Sequence, residues 1–155
     1  MKILVYSDSH GEISNIVEIY EKEKPDFIIS AGDHSEDFRD FTLSYRDLSV
    51  EYKVVKGNCD HFEKTYGEEE LFQIEGRKIF LTHGHLYGVK GSLNQLKIRS
   101  QEVGADLVIY GHTHIPLYER YENCEYFNPG ALKDGKYGII EIEGDKVDFF
   151  FKSLP

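Results

Sequence analysis

The chain has 155 residues, 40% of them hydrophobic and 30% charged, which predicts one globular domain spanning 1–155 with its own core. The formal net charge of −10 disfavours binding to long duplex nucleic acid, although a bound metal ion can reverse the potential locally. Two cysteines provide no disulfide framework, and no apolar run reaches the length of a signal peptide or a membrane span. We therefore expect a cytoplasmic protein with no membrane partner.

The first half of the chain alternates apolar runs with a helical pattern. Three runs are typical of strands, at 3–6, 27–29 and 53–56. A helix that ends before Pro25 is indicated by apolar residues with i, i+3, i+4, i+7 spacing, namely Ile13, Ile16, Val17 and Tyr20. The stretch 35–49 carries a mixed signal, which favours a short helix followed by a loop. Alternating strands and helices predict parallel pairing.

The second half of the chain has a different pattern of predicted elements. A helix is predicted from Ser92 to Val103, where Gly104 stops it, and a single strand follows at 107–110. Three pairs of strands joined by short turns predict antiparallel hairpins, at 71–81, 117–128 and 137–152. Together the two patterns predict an α/β (α+β) fold in which two mixed sheets pack face to face with helices outside.

Six of the predicted strands end in a residue type that binds metal. These residues are Asp8 with His10, Asp33, Asn58, His83 with His85, His112 with His114, and Asn128. The loops beyond the carboxyl ends of strands gather at one edge of an open sheet, where such folds place ligands. The pattern therefore predicts one polar cluster assembled from distant parts of the chain.

The donor types in this cluster predict two metal ions and a phosphoester substrate. Asp33 can bridge two ions with one oxygen for each, and the mixture of imidazole and oxygen ligands suits Mn, Fe, Co, Ni or Zn better than Ca or Mg. Two dications against the carboxylates of Asp8 and Asp33 leave a net positive centre. Such a centre attracts phosphate and acidifies a bridging water into hydroxide, which predicts hydrolysis of a phosphoester.

The seven histidines all follow predicted strands, which favours metal ligation for His10, His83, His112 and His114 over scattered surface positions. We expect His85 at the pocket wall and leave His34 and His61 outside the site as rim or loop residues. Three further residues carry open interpretations. Asp60 either orients a ligand or caps a loop, Cys59 lies near the pocket or packs as a small hydrophobe, and Tyr87 is the tyrosine most expected near the pocket.

Five motifs resemble those of the calcineurin-like metallophosphoesterases, in the order of that family: Asp8-Ser9-His10, Gly32-Asp33, Gly57-Asn58, Thr82-His83-Gly84-His85 and Gly111-His112-Thr113-His114. Two shorter segments, Asn58-Cys59-Asp60 and Asn128-Pro129-Gly130, resemble the small prokaryotic YfcE-like phosphodiesterases. The resemblance covers 5–131 and implies a four-layer α-β-β-α sandwich.

The resemblance also implies a ligand set for two divalent transition-metal ions, with Mn or Ni favoured. The first ion would be held by Asp8, His10, Asp33 and His114. The second would be held by Asp33, Asn58, His83 and His112. The catalytic positions would be Asp33, Asn58, His83 and Cys59. Many relatives carry histidine at the position of Cys59, and a thiol is a poorer proton donor than an imidazolium at neutral pH. A second departure is Ala131, where serine is common, and no consequence is assigned to it.

The function implied is a phosphodiesterase that cleaves a small phosphodiester by attack of a metal-bridging hydroxide. The alternatives are a phosphomonoesterase of the same fold and a non-catalytic protein-binding scaffold, similar to the retromer subunit that shares the fold. A complete ligand set favours the enzyme. The substrate stays open because its contacts come from the loops at 35–49 and 86–92. The native metal and the oligomeric state also stay open, with a homo-oligomer as one alternative.

Overall fold

The computed structural model describes residues 1–45 and 48–155. Within them it contains three α-helices, α1 (Ile13–Glu23), α2 (Ser35–Ser44) and α3 (Asn94–Glu102). The first five strands are β1 (Lys2–Tyr6), β2 (Phe27–Ser30), β3 (Glu51–Val54), β4 (Glu69–Ile74) and β5 (Arg77–Thr82). The others are β6 (Leu107–Ile109), β7 (Leu117–Tyr121), β8 (Cys124–Asn128), β9 (Lys136–Glu143) and β10 (Lys146–Ser153). Among the described residues, no helix has both the length and the apolar character that a membrane span requires.

The strands form two five-stranded mixed sheets, which confirms the predicted architecture. One sheet has the order β10-β9-β1-β2-β3 and the other the order β4-β5-β6-β8-β7. Each has a parallel centre, because β1, β2 and β3 pair in parallel, as do β5, β6 and β8. The three predicted hairpins, β4–β5, β7–β8 and β9–β10, are present and antiparallel.

The helices lie where the apolar spacing predicts them. Ile16 and Ile19 of α1 are buried against β1 and β2, and the helix ends where Lys24 adopts a left-handed conformation just before Pro25. The helix predicted over 92–103 is α3, which buries Leu96 and Ser100. The short helix predicted within 35–49 is α2, and two residues of the predicted loop after it, 46 and 47, lie outside the described residues.

The main core lies between the two sheets. From one sheet it contains Ile3 and Val5 of β1. From the other sheet it contains Leu81 of β5, Ile109 of β6 and Phe127 of β8. Because these central strands run parallel, their carboxyl ends point to one edge of the sandwich. Each motif that follows a central strand is therefore delivered to that same edge.

Candidate metal centre

Three side chains at this edge are nearly sealed from solvent. Asp8 and His83 are 0% exposed and Asp33 is 4% exposed, although all three are polar. Asp8 follows β1, Asp33 follows β2 and His83 follows β5. Buried charged groups require a partner of opposite charge or a metal ion, so this arrangement needs an electrostatic explanation.

Imidazole nitrogens surround the two carboxylates. Oδ1 of Asp8 lies 3.1 Å from Nε2 of His114. The same oxygen lies 3.7 Å from Nε2 of His10 and 3.8 Å from Nε2 of His83. Oδ2 of Asp33 lies 3.4 Å from Nε2 of His83 and 3.8 Å from Nε2 of His10. Both carboxylates therefore stand between histidines that come from different loops.

A sixth predicted residue joins the cluster through the His83 ring. Nδ1 of His112 lies 3.2 Å from Nε2 of His83. Six of the seven predicted ligand residues are thus gathered, and two overlapping groups have donor atoms within 4.8 Å of one another: Asp8, His10 and His114, and Asp8, Asp33 and His83.

The opposite oxygen of each carboxylate is held by protein donors. Oδ2 of Asp8 accepts a 2.6 Å hydrogen bond from the Ser7 hydroxyl and a 3.2 Å bond from the backbone N–H of His112. Oδ1 of Asp33 accepts a 2.9 Å bond from the backbone N–H of Cys59. Each carboxylate therefore turns a single oxygen towards the imidazoles. That Asp33 bridges two ions with one oxygen for each stays a prediction, because a carboxylate oxygen that accepts one hydrogen bond keeps a second lone pair.

Two imidazoles direct a nitrogen into the cluster. Nδ1 of His83 donates a 2.8 Å hydrogen bond to the carbonyl of Ala31, so Nε2 is the nitrogen that faces the carboxylates. Nε2 of His10 is buried and has no hydrogen-bond partner among the described residues. Buried polar nitrogens without partners are rare, and nitrogens of this kind are suitable metal donors.

Glycines let the motif loops approach one another closely. A Cβ atom on Gly111 would lie 2.0 Å from the Ser7 hydroxyl, and one on Gly57 would lie 2.1 Å from Oδ1 of Asp33. Both glycines have negative φ, so close packing alone explains them. The site loops are also strained, with positive φ angles at Asp8, His10, Asp33, His112 and His114. Such strain collects at functional sites, where surrounding contacts hold it in place.

Burial and neighbouring charges shift the pKa values of the groups in the cluster. Burial alone would raise the pKa of Asp33, but its contacts with His83 and the N–H of Cys59 hold that pKa well below its usual range. Burial would lower the pKa of His83, but Asp33 and Asp8 raise it. Burial and the neighbouring His83 lower the pKa of His112 to about 4, and burial likewise lowers that of His10. His10 and His112 are therefore neutral donors at pH 7.

The donor set fits divalent transition-metal ions. Within residues 1–45 and 48–155, no lysine or arginine forms an ion pair with Asp8 or Asp33. Two buried carboxylates without a lysine or arginine partner lack the permanent positive charge that would compensate them. Mixed imidazole and carboxylate donors match Mn, Fe, Co, Ni or Zn.

The loop after β3 carries the seventh predicted ligand. Asn58 is exposed, and its amide nitrogen lies 3.6 Å from the sulfur of Cys59. Asp60 caps this loop by accepting bonds from the backbone N–H groups of Gly57 (2.7 Å) and Ser35 (3.0 Å), which resolves its open interpretation. Cys59 is exposed, so it is not a core residue, and burial together with the Asp33 charge raises its pKa.

Three histidines and a tyrosine outside the ligand set also have defined positions. The ring of His85 lies 5.5 Å from that of His83, in agreement with a place at the pocket wall. The ring of His34, left outside the site by the sequence, lies 4.7 Å from that of His10. His61 is exposed on the loop after β3. The ring of Tyr87 packs against Phe80 and its hydroxyl bonds Glu69, and its nearness to the pocket stays a prediction.

Two buried side chains outside the predicted ligand set hold the ligand loops, and sequence reasoning missed the first of them. Asp37 of α2 accepts bonds from the Ser9 hydroxyl (2.6 Å) and the Gly11 N–H (2.7 Å). The amide of Asn128 donates 3.0 Å bonds to the Gly111 carbonyl and the Thr113 hydroxyl. The position of Asn128 after a strand was a signal of its importance. No motif marked Asp37, because it lies within a helix of mixed pattern.

Two stacked mixed sheets with an Asp and His cluster beyond their parallel strands define the metallophosphoesterase fold class. The model of the calcineurin-like phosphoesterase superfamily domain matches residues 1–144. The chain belongs to this superfamily.

Individual relatives agree with the family. The probable metallophosphoesterase YsnB of Bacillus subtilis is 36% identical over 161 residues, which cover 97% of this chain and 90% of the relative. The phosphodiesterase YfcE of Escherichia coli is 30% identical over 162 residues, which cover 89% of this chain and 83% of the relative. The solved structure of Vacuolar Protein Sorting 29 from Cryptosporidium parvum has a TM-score of 0.82 at 19% identity, covering 99% of this chain and 91% of that chain. That likeness concerns the fold alone.

Proposed function

We propose that this protein is a dinuclear metal-dependent phosphoesterase and that its substrate is a small phosphodiester. The observation that carries the proposal is the buried pair Asp8 and Asp33, ringed by imidazole nitrogens and without a lysine or arginine partner in the described part of the chain. The name of the E. coli relative, a phosphodiesterase, supports the choice of diester over monoester.

The proposed ligand set follows the two halves of the cluster. Asp8, His10, Asp33 and His114 would hold one ion. Asp33, Asn58, His83 and His112 would hold the other. Oδ2 of Asp33 lies between the imidazoles of His10 and His83, so Asp33 is the residue that both ions would share. When bound, the ions supply Lewis acidity towards the phosphoryl oxygens and activate a water molecule.

The residues around the ligands have positioning tasks in this proposal. The Ala31 carbonyl fixes the tautomer and ring orientation of His83, and Ser7 fixes Asp8. Asp37 and Asn128 hold the loops that carry His10 and His112. Cys59 lies beside Asn58, where many relatives carry histidine, so the chain offers no imidazole at that position to protonate the leaving oxygen.

A metal titration with a matched histidine pair tests the proposed ligands. We expect metal content near two ions per chain after reconstitution with Mn²⁺ or Ni²⁺. His114→Asn should lose metal, whereas His61→Asn, the same change on an exposed loop, should keep both ions. Saturation at one ion in the unmodified protein, or equal metal content in the two variants, would contradict the proposed centre.

A substrate screen of the same preparations tests the reaction. Phosphomonoesters, linear phosphodiesters and cyclic nucleotides should be compared at equal concentration, with the diesters expected to be cleaved best. Better cleavage of the monoesters would replace the diester proposal with the phosphomonoesterase alternative. Full metal loading with no cleavage of any phosphoester would favour the scaffold alternative, with which the shared fold of the vacuolar sorting protein is compatible.

A further inference from the structure

An apolar cleft of about 400 Å³ opens beside the loop that carries His112 and His114. We name it the Ile115 cleft, and its walls include Val89, Lys90, Leu93, Thr113, Ile115 and Leu117. Ile115 is 64% exposed and Leu117 is 36% exposed, so two aliphatic side chains face solvent there. Concave sites with an apolar lining and few polar groups are the usual form of small-molecule sites.

The cleft adjoins the metal centre through one residue of a ligand loop. Thr113 lies between His112 and His114 in the chain and lines the cleft. Its hydroxyl accepts hydrogen bonds from the Asn128 amide (3.0 Å) and from the backbone N–H of Ile115 (3.1 Å). An organic group in this cleft would therefore contact the loop that carries two of the imidazole ligands.

Packing and hydrogen bonds hold the walls of the cleft, so the exposure of the Ile115 side chain is not due to a poorly packed backbone. Val89 is buried, and a Cβ atom on Gly84 would lie 2.9 Å from it. The Ile115 backbone is bound to Thr113, as described above. A preformed apolar wall loses little conformational entropy when a ligand binds.

Lys90 brings positive charge to the cleft. Lys90 lines the cleft together with Thr113, the residue between His112 and His114. A larger cleft of about 740 Å³ lies at the opposite edge, among the turns that contain Gly76 and Gly144. The Ile115 cleft combines an apolar wall, a cation and a lining residue from the loop that carries His112 and His114.

We propose that the Ile115 cleft binds an apolar alkyl or aryl group of the phosphoester substrate, with Lys90 contacting an anionic phosphoryl oxygen. This inference rests on the proposed function and adds a substrate class to it, namely phosphoesters with an apolar arm. A half-buried methylene group contributes about a twofold gain in affinity, because full burial contributes about fourfold.

Binding of two alkyl phosphates tests the cleft without turnover. Hexyl phosphate should bind the Mn²⁺-loaded protein about 30-fold more tightly than methyl phosphate, since it has five more methylenes. Calorimetry should show that Ile115→Ala reduces this ratio several-fold. Ile98→Ala is the matched control, because Ile98 is 61% exposed on α3 and lies outside the cleft. Equal hexyl-to-methyl ratios in the unmodified protein and both variants would overturn the proposal.

Hydrolysis of two esters distinguishes a failure of the cleft proposal from a failure of the proposed reaction. The esters 4-nitrophenyl methyl phosphate and 4-nitrophenyl hexyl phosphate share one leaving group, so their kcat/KM ratio reports the retained arm. That ratio should be about 30 and should fall in Ile115→Ala. Cleavage of both esters at equal rates would overturn the cleft and leave the phosphoesterase intact. Hexyl-selective binding that requires Ile115, without cleavage of any ester, would retain the cleft and overturn the phosphoesterase.

The proposed contact of Lys90 with phosphate can be tested separately from the apolar wall. Lys90→Gln should weaken methyl and hexyl phosphate by the same factor, about threefold to tenfold, because the lost contact is with phosphate. Lys146→Gln, in the hairpin at the far edge, should change neither affinity. A loss confined to hexyl phosphate would contradict the phosphate contact of Lys90.

Discussion

Buried carboxylates occur at both ends of the sandwich, and their partners differ. Near the carboxyl end of α1, Glu23 has a side chain that is 3% exposed and lies 2.8 Å from Nζ of Lys2 and 3.2 Å from Nζ of Lys152. It also accepts a 2.7 Å hydrogen bond from the Tyr137 hydroxyl. At the opposite end, Asp8 and Asp33 have imidazoles around them and no ammonium group among the described residues.

The difference separates a structural site from a functional one. Burial alone would raise the pKa of Glu23, but Lys2, Tyr137 and Lys152 lower it to about 2, so the carboxylate is neutralised from within the chain. The carboxylates of Asp8 and Asp33 lack cations of this kind. A site whose compensating charge must come from outside the chain is ready to bind metal ions.

The largest expected effect comes from Asp33→Asn. This change removes the carboxylate that both ions would share, so kcat/KM should fall by about 10³-fold or more, a larger loss than for any other single ligand. Thermal stabilisation by added Mn²⁺ or Ni²⁺ should also disappear. Asp145→Asn, in the β9–β10 turn, is the control. Near-normal turnover with both ions retained in Asp33→Asn would show that Asp33 is not the bridge.

Cys59→His should give a smaller change in the opposite direction. An imidazole beside Asn58 would protonate the leaving oxygen, so alkyl phosphodiesters should be cleaved up to about 10²-fold faster. Nitrophenyl esters should gain much less, because their leaving groups need no proton. Plots of log kcat/KM against leaving-group pKa should therefore be shallower for Cys59→His than for the unmodified protein or Cys59→Ser. Parallel plots would place residue 59 away from the leaving oxygen.

Glu23→Gln tests the buried carboxylate at the end of α1, which the chain's own lysines neutralise. The lowered pKa of Glu23 stabilises the fold above pH 4.5, and this stabilisation is lost as the pH falls towards about 2. Denaturation should show Glu23→Gln to be about 2 kcal/mol less stable at pH 7, with the difference shrinking below pH 4.5. Glu18→Gln, exposed on the same helix, should change little. Impaired metal binding in Glu23→Gln would mean that the two ends are coupled.

Tyr137→Phe should give the smallest effect. It removes one of the contacts of Glu23 and leaves both ammonium groups in place, so unfolding free energy should fall by about 1 kcal/mol. The pH dependence assigned to Glu23 should persist in this variant. Tyr121→Phe, at an exposed position on β7, provides the control. A loss as large as that of Glu23→Gln would indicate that the hydroxyl, rather than the lysines, neutralises the carboxylate.

Much of the fold could be predicted from the sequence, because strand and helix signals are local. The apolar runs before Asp8, Asp33 and His83 gave the strands, and the spacing of Ile16 and its neighbours gave α1. Hairpins could be predicted because the turns at 75–76 and 144–145 directly follow strand patterns. The direction of a side chain within a loop could not be predicted, as is seen for the Tyr87 ring, which packs against Phe80, and the His34 ring, which lies 4.7 Å from that of His10.

The sequence by itself determined the residue types of the candidate site and the edge at which they meet, because each follows a strand whose direction the pattern defines. Only the tertiary structure decided which carboxylate oxygen faces the imidazoles, as the Cys59 N–H that holds Asp33 comes from another loop. Only the tertiary structure brought Lys152 to Glu23 and Asn128 to Gly111. Such contacts join residues far apart in the chain, so they depend on how the two sheets pack and leave no local signal in the sequence.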